Sequence, residues 1–268
     1  MPTETVNGTQ LYYEVSGDGT PIVFLHGVMM GSRFFVEQQG PLAEDHRPVV
    51  LDFRGHGRSA KSETGHTLPT YAADLEAFLE SRSFEQIVLV GWSMGSLVAW
   101  EYIDRFGTDR LSGFVSVEQQ PLDLERDDYE HGVFDFEELV DLMELAQTDH
   151  HELIEVLIDQ MFATEPPTDV RRLVFDEIAR VPPAIQSAIL FDQSVRDYRD
   201  VLGDIDIPTL VCVGEDDTLL DPAGVEYVAE RTPDADLKRF AESGHCPFLE
   251  EPEKFNRVVS EFVDACTA

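Results

Sequence analysis

Residues 3–15 alternate polar and apolar side chains about an Asn7-Gly8 pair, the pattern of two short strands joined by a tight turn. The next apolar runs are continuous: Ile22-Val23-Phe24-Leu25, Val49-Val50-Leu51 and Ile87-Val88-Leu89-Val90. A strand that is apolar at every position is buried on both faces, as in a parallel sheet. Between these runs the spacing becomes helical, near 34–43 and over 68–80, and a helix is predicted from Leu97 to about Phe106. A further strand is predicted at 113–117. Strand and helix therefore alternate, which predicts a doubly wound, mostly parallel sheet.

After residue 118 the alternation stops. From 119 to 201 no run reads as a strand, whereas 136–146, 153–162 and 170–179 carry helical spacing broken by Pro166-Pro167 and Pro182-Pro183. The sheet pattern resumes at 208–213, followed by a helix at 222–230, a strand at 237–240 and a closing helix after Pro252. The expectation is one α/β core of eight strands built from 1–118 and 202–268, with 119–201 as a mainly helical cap inserted into it. No internal repeat or low-complexity linker interrupts this reading.

Charge changes the picture most. The 268 residues include 53 acidic and 19 basic side chains, a net charge of −34, and only Lys61, Lys238 and Lys254 are lysines. The acid is spread along the chain, so a folded surface coated in carboxylate is expected. Such a surface is a poor partner for nucleic acid or an anionic membrane. Its self-repulsion disfavours the compact state at low salt, which points to a halophilic, salt-loading cell. No apolar run approaches the ~18–20 residues of a membrane span. Met1-Pro2-Thr3-Glu4-Thr5 lacks the features of a signal peptide, so a cytoplasmic location is expected. Cys212, Cys246 and Cys266 have neither metal nor redox spacing, and Cys212 sits in an apolar run as a small core residue. His131, His150 and His151 lack carboxylates at ligand spacing and are read as surface residues, so no metal site is expected.

The candidate chemistry begins at Gly91-Trp92-Ser93-Met94-Gly95. A buried strand precedes it and a helix follows, the context in which a Gly-x-Ser-x-Gly turn lifts a serine hydroxyl above a sheet. The helix would aim its N-terminal N–H groups at the site and favour developing negative charge. Other motifs follow the predicted strands: His26-Gly27, Asp52-x-Arg-Gly-His-Gly-x-Ser59, Gly214-x-x-Asp217 and Gly244-His245. Taken in this order, the motifs resemble the α/β-hydrolase fold over essentially the whole chain.

That resemblance implies a catalytic triad in the chain order Ser93, acid, His245. Imidazole suits the task of taking the serine proton near neutral pH. The acid holds the imidazole tautomer. After Val213 the chain offers Glu215, Asp216, Asp217 and Asp221, and the family motif places the acid on Asp217, with Asp216 the near rival. Glu118 stands where some hydrolases carry the acid, and is read here as a polar residue at a strand end. The resemblance further implies an oxyanion hole from the backbone N–H groups of Val28 and Met94. Met29, Met30 and Trp92 are candidates for the substrate pocket, Trp92 alternatively packing beneath the turn. His56 is read as structural, and Glu250-Glu251-Pro252 as the start of the last helix.

The function implied is a serine hydrolase of small to medium carboxylic esters that needs no cofactor or metal. The stretch Asp197 to Leu210 resembles the cofactor-free haloperoxidase and perhydrolase branch. Ser243-Gly244-His245-x-Pro247-x-x-Glu250 is shared with lactonases and carbon–carbon bond hydrolases. Haloalkane dehalogenases and epoxide hydrolases place Asp where this chain has Ser93. A ligand-binding protein that keeps the fold without turnover is the alternative of another class.

Overall fold

Asn7 and Gly8, both at positive φ (45° and 74°), turn β1 (Thr3–Val6) back onto β2 (Thr9–Val15) in an antiparallel hairpin. In the computed structural model, which describes residues 2–267, this hairpin forms one edge of an eight-stranded sheet. Next come β3 (Pro21–Leu25), a 3-10 turn at Ser32–Phe35, α1 (Val36–Leu42), β4 (Arg47–Leu51), α2 (Leu68–Ser81), β5 (Ile87–Trp92), α3 (Met94–Phe106) and β6 (Leu111–Val117). Between β6 and the next strand lie α4 (Phe136–Thr148), α5 (His150–Met161), α6 (Thr168–Ile178), α7 (Pro183–Ser194) and the single turn α8 (Arg199–Leu202). The chain closes with β7 (Thr209–Gly214), α9 (Pro222–Arg231), β8 (Ala235–Phe240), the turn α10 (Pro247–Glu250) and α11 (Pro252–Thr267).

The strand order is β1-β2-β4-β3-β5-β6-β7-β8, with β2 antiparallel to both its neighbours and every later pairing parallel. The continuous apolar runs divide by parity, as side chains on a strand must. Val23, Leu25 and Leu89 enter a core with α2 and α3, whereas Ile22, Phe24, Val88 and Val90 enter a second core with Phe34, Phe35 and α11. After β3 the chain moves to β4 on one side, and after α2 it returns to β5 on the other side of β3. The carboxyl ends of β3 and β5 thus flank a topological switch point, where open α/β sheets hold ligands.

The helices after β6 exceed the sequence expectation by α7 and α8. The inner face of α7 carries Gln186, Gln193 and Ser194 beside Ile185, Ile189 and Leu190, which blurs the apolar periodicity. Among the described residues no helix is long and apolar enough to cross a membrane.

Candidate active site

Ser93 lies between β5 and α3 with φ 52° and ψ −125°, a conformation costly for a residue with a Cβ. The fold over-determines it. The Ser93 N–H donates to Val117 O at 2.9 Å, Ser96 N–H donates to Ser93 O at 2.8 Å, and Ser96 Oγ donates to Gly91 O at 2.7 Å. A Cβ at Gly95 would overlap the carbonyl of Leu25 on β3, so the turn can sit this close to the sheet only with glycine. Met94 is the first residue of α3, where an N–H has no intrahelical acceptor.

The loop after β3 passes over the serine. A Cβ on Gly27 would lie 3.1 Å from the Trp92 ring and 3.3 Å from Ser93 Cβ. His26 fixes the start of the loop: its Nδ1 donates to Gly27 O at 2.8 Å while Nε2 accepts the Phe53 N–H at 3.0 Å. Burial lowers the His26 pKa to about 4, so the ring is neutral and can make both bonds. Asp52 holds the other end, accepting from Ser32 N at 2.6 Å and from Arg58 N at 2.7 Å. The 52–59 motif is thus scaffolding, and His56 is buried within it, its Nδ1 donating to Arg54 O at 3.1 Å. Val28 is half-buried at the loop, and Met29 follows at φ 61°. The side chains of Met29, Met30 and Trp92 are all buried in the core shared with Phe34. Trp92 stacks on Phe34 at 5.1 Å, meets Phe248 edge-on at 4.9 Å, and donates from Nε1 to His245 O at 2.8 Å.

Of the acids after β7, Asp217 is the one brought to His245: Oδ2 accepts from Nδ1 at 2.8 Å. Glu215 and Asp216 are exposed. Asp217 Oδ1 accepts from Leu219 N at 2.7 Å and Leu220 N at 3.2 Å. Burial pushes the Asp217 carboxyl up, but the charge and hydrogen bond of His245, with the two N–H groups, outweigh it and hold the acid ionised below the usual range. Trp92, the residue before Ser93, packs against the His245 ring with centroids 5.7 Å apart. Among the described residues the ring is hydrogen-bonded to Asp217 and not to Ser93 Oγ.

Three carboxyls play parts that the sequence reading did not assign. Glu250 does not begin the last helix, which starts at Pro252. It ends α10 and cradles the histidine loop, accepting from Ala163 N at 2.8 Å, Gly244 N at 2.9 Å and Cys246 N at 3.3 Å. Glu118 is buried beside the acid: ligand-type atoms of Glu118, Asp217 and His245 all lie within 4.8 Å of one another. Within this cluster Asp217 Oδ2 and His245 Nδ1 are already hydrogen-bonded to each other. Asp123, in the loop after β6, accepts from Gln119 Nε2 at 2.9 Å and from Gln193 Nε2 at 3.1 Å. Their distant partners, Gly214 for Glu118, Gln193 for Asp123 and Ala163 for Glu250, come from other segments of the chain, which no local spacing announces.

Asp123 carries a stability prediction. Burial raises its pKa to about 6, against the pull of the two amides and of His245. A carboxyl raised above its unfolded value binds its proton more tightly when folded, so its contribution to stability falls as pH rises from ~4 to ~6 and stays low above that. A shift of about two units is worth at most about 3 kcal/mol. In urea titrations, Asp123→Asn should therefore compare more favourably with wild type at pH 8 than at pH 4, by about 1–3 kcal/mol. An identical difference at both pH values would show that the carboxyl is not perturbed.

The sheet topology, the switch-point site and the turn bearing Ser93 define a hydrolase-fold enzyme. Residues 20–252 match the family model described as alpha/beta hydrolase fold, and the chain belongs to that family. It is similar to the AB hydrolase superfamily protein YisY of Bacillus subtilis, at 28% identity covering 97% of each chain. It is also similar to a non-heme chloroperoxidase of Kitasatospora aureofaciens, at 28% identity covering 97% of this chain and 98% of the relative. Among solved structures, an esterase from Exiguobacterium antarcticum superposes with a TM-score of 0.94 at 28% identity, covering 98% of both chains.

Proposed function

We propose that this enzyme is a serine esterase acting on small to medium carboxylic esters through an acyl-enzyme on Ser93. The observation that carries the reading is the buried Asp217–His245 hydrogen bond, together with a serine held at positive φ at the head of α3. His245 takes the proton of Ser93 as Oγ adds to the ester carbonyl. The electron pair of the C=O bond moves to oxygen, where the N–H groups of Val28 and Met94 stabilise it. The tetrahedral adduct then expels the alcohol, which takes the proton from His245, and water repeats the steps to release the acid and restore Ser93. Each step uses groups supplied by the chain itself.

Ser93 is only 9% exposed, so an ester reaches it when covering side chains part. Residues 119–201, read as a cap over the 1–118 and 202–268 core, are the segment suited to this. A series of p-nitrophenyl esters from acetate to long chains tests the activity and sizes the pocket. Turnover that peaks at short or medium acyl length is expected, whereas a folded protein that hydrolyses no member would overturn the esterase assignment. Similarity to a chloroperoxidase favours one second reading, perhydrolysis at the same serine. Peracid formation from acetate and hydrogen peroxide, faster than hydrolysis of the acetate ester, would select it.

The same proposal includes a salt-adapted, halophilic setting, supported by the net charge of −34. At ~1 M salt the Debye length falls to about 3 Å and most repulsion between surface carboxylates is screened. Activity and melting temperature should therefore rise from ~0.1 M to ~2 M potassium chloride. Equal values at both concentrations would remove the halophilic reading and leave the chemistry untouched.

A further inference from the structure

Glu118 follows β6 directly and adopts φ 47°, an unusual conformation for a residue of its kind. Its N–H donates to Cys212 O at 3.1 Å, and its side chain is fully buried. The seat is built for it. Oε1 accepts the N–H of Gly214, and a Cβ at that glycine would come within 3.0 Å of the same oxygen and overlap the carbonyls of Ser243 and Gly244. The other oxygen, Oε2, receives no hydrogen bond. As a carboxylate it would be an orphaned anionic oxygen in the protein interior, which folded proteins avoid.

The cluster geometry removes the difficulty. Two buried carboxyls within this distance of each other do not both ionise. Asp217 has the better claim to the charge: it accepts two N–H groups and the His245 ring, against one N–H for Glu118. Besides Asp217 and His245, the titratable groups facing Glu118 are Glu250 on α10 and the thiols of Cys212 and Cys246, none of them cationic. Burial first, and then the charge of Asp217, push the Glu118 carboxyl well above the usual range.

We propose that Glu118 is a positioning residue for the triad proposed above: as a neutral acid it donates its Oε2 proton to the Asp217 carboxylate, so that the pair presents one negative charge to His245. The inference rests on the serine-hydrolase reading for its effect on rate, but the protonation state it assigns is measurable without turnover. Donation from Glu118 gives Asp217 a further hydrogen bond and moderates its pull on the imidazole proton.

Two variants and one spectrum test it. Glu118→Gln keeps the shape, the neutral charge, an acceptor for Gly214 N–H and a donor for Asp217. Its kcat/KM should stay within about threefold of wild type, with the midpoint of the acid limb within ~0.3 pH unit. Glu118→Ala removes the donor, so the acid limb should move up by about half a pH unit and kcat should fall about tenfold. If Glu118 is ionised in the native enzyme, Glu118→Gln deletes a charge beside the ring and the acid limb moves down by about one unit or more, which overturns the proposal. If neither variant moves the limb, Glu118 is merely structural and the positioning role is lost. Infrared difference spectra at pH 8 between wild type and Glu118→Gln should show the carbonyl stretch of a protonated carboxylic acid in the wild type alone. Absence of that band overturns the assignment even if no ester is turned over and Glu118→Ala does not fold.

Discussion

Ser93→Ala is expected to lower kcat for any ester by at least ~10⁴-fold, approaching the ~10⁶-fold loss seen when a serine nucleophile is removed. The fold should survive, because the hydroxyl takes no part in the bonds that hold the turn, which run through Ser93 N–H and C=O and through Ser96. The strained conformation adds a second arm. With φ at 52°, Ser93→Gly should be equally inactive and more stable than Ser93→Ala by about 1 kcal/mol, since glycine enters that region without a Cβ penalty. Circular dichroism and thermal melts, run beside the ester assay, separate the two effects. A Ser93→Ala protein that keeps a tenth of wild-type activity would place the nucleophile elsewhere.

Asp217→Asn should have the next largest effect, a fall in kcat of about 10³–10⁴-fold. Oδ1 of Asp217 already accepts from Leu219 N and Leu220 N, so the oxygen of an asparagine would keep that side and its NH₂ would face His245 Nδ1. That forces the ring into the tautomer with hydrogen on Nε2, which cannot accept the serine proton. Asp216→Asn is the matched control: Asp216 is exposed, and its change should alter kcat by less than about threefold. Similar losses in both variants would mean that Asp217 does not orient the ring.

The sheet was legible because strands buried on both faces must be apolar at every position, as in Ile22–Leu25 and Ile87–Val90, and because Asn7-Gly8 admits the positive φ of a tight turn. The elbow was legible for a related reason: glycines at 91 and 95 are demanded by close backbone approach rather than by any ligand. Helix α7 escaped because its buried face is half polar. Glu118, Asp123 and Glu250 escaped for a different reason. Glu118 ends a strand, Glu250 ends a helical turn and Asp123 lies in a loop, all common places for a solvated side chain, and only the tertiary fold buries Glu118 and Asp123 and turns Glu250 onto the histidine loop. Motif position favours Asp217 over Asp216, and burial distinguishes the two neighbours in a way that composition could not.

The central claim is that Ser93 carries a covalent acyl group during turnover. Mass spectrometry of enzyme quenched within the first turnovers on p-nitrophenyl acetate tests it most directly, with proteolytic mapping of the modified peptide. An acetyl group on the peptide bearing Ser93, formed with a burst of p-nitrophenol and absent from Ser93→Ala, is the predicted result. Steady hydrolysis with no adduct, or an adduct on another side chain that persists in Ser93→Ala, would contradict the account.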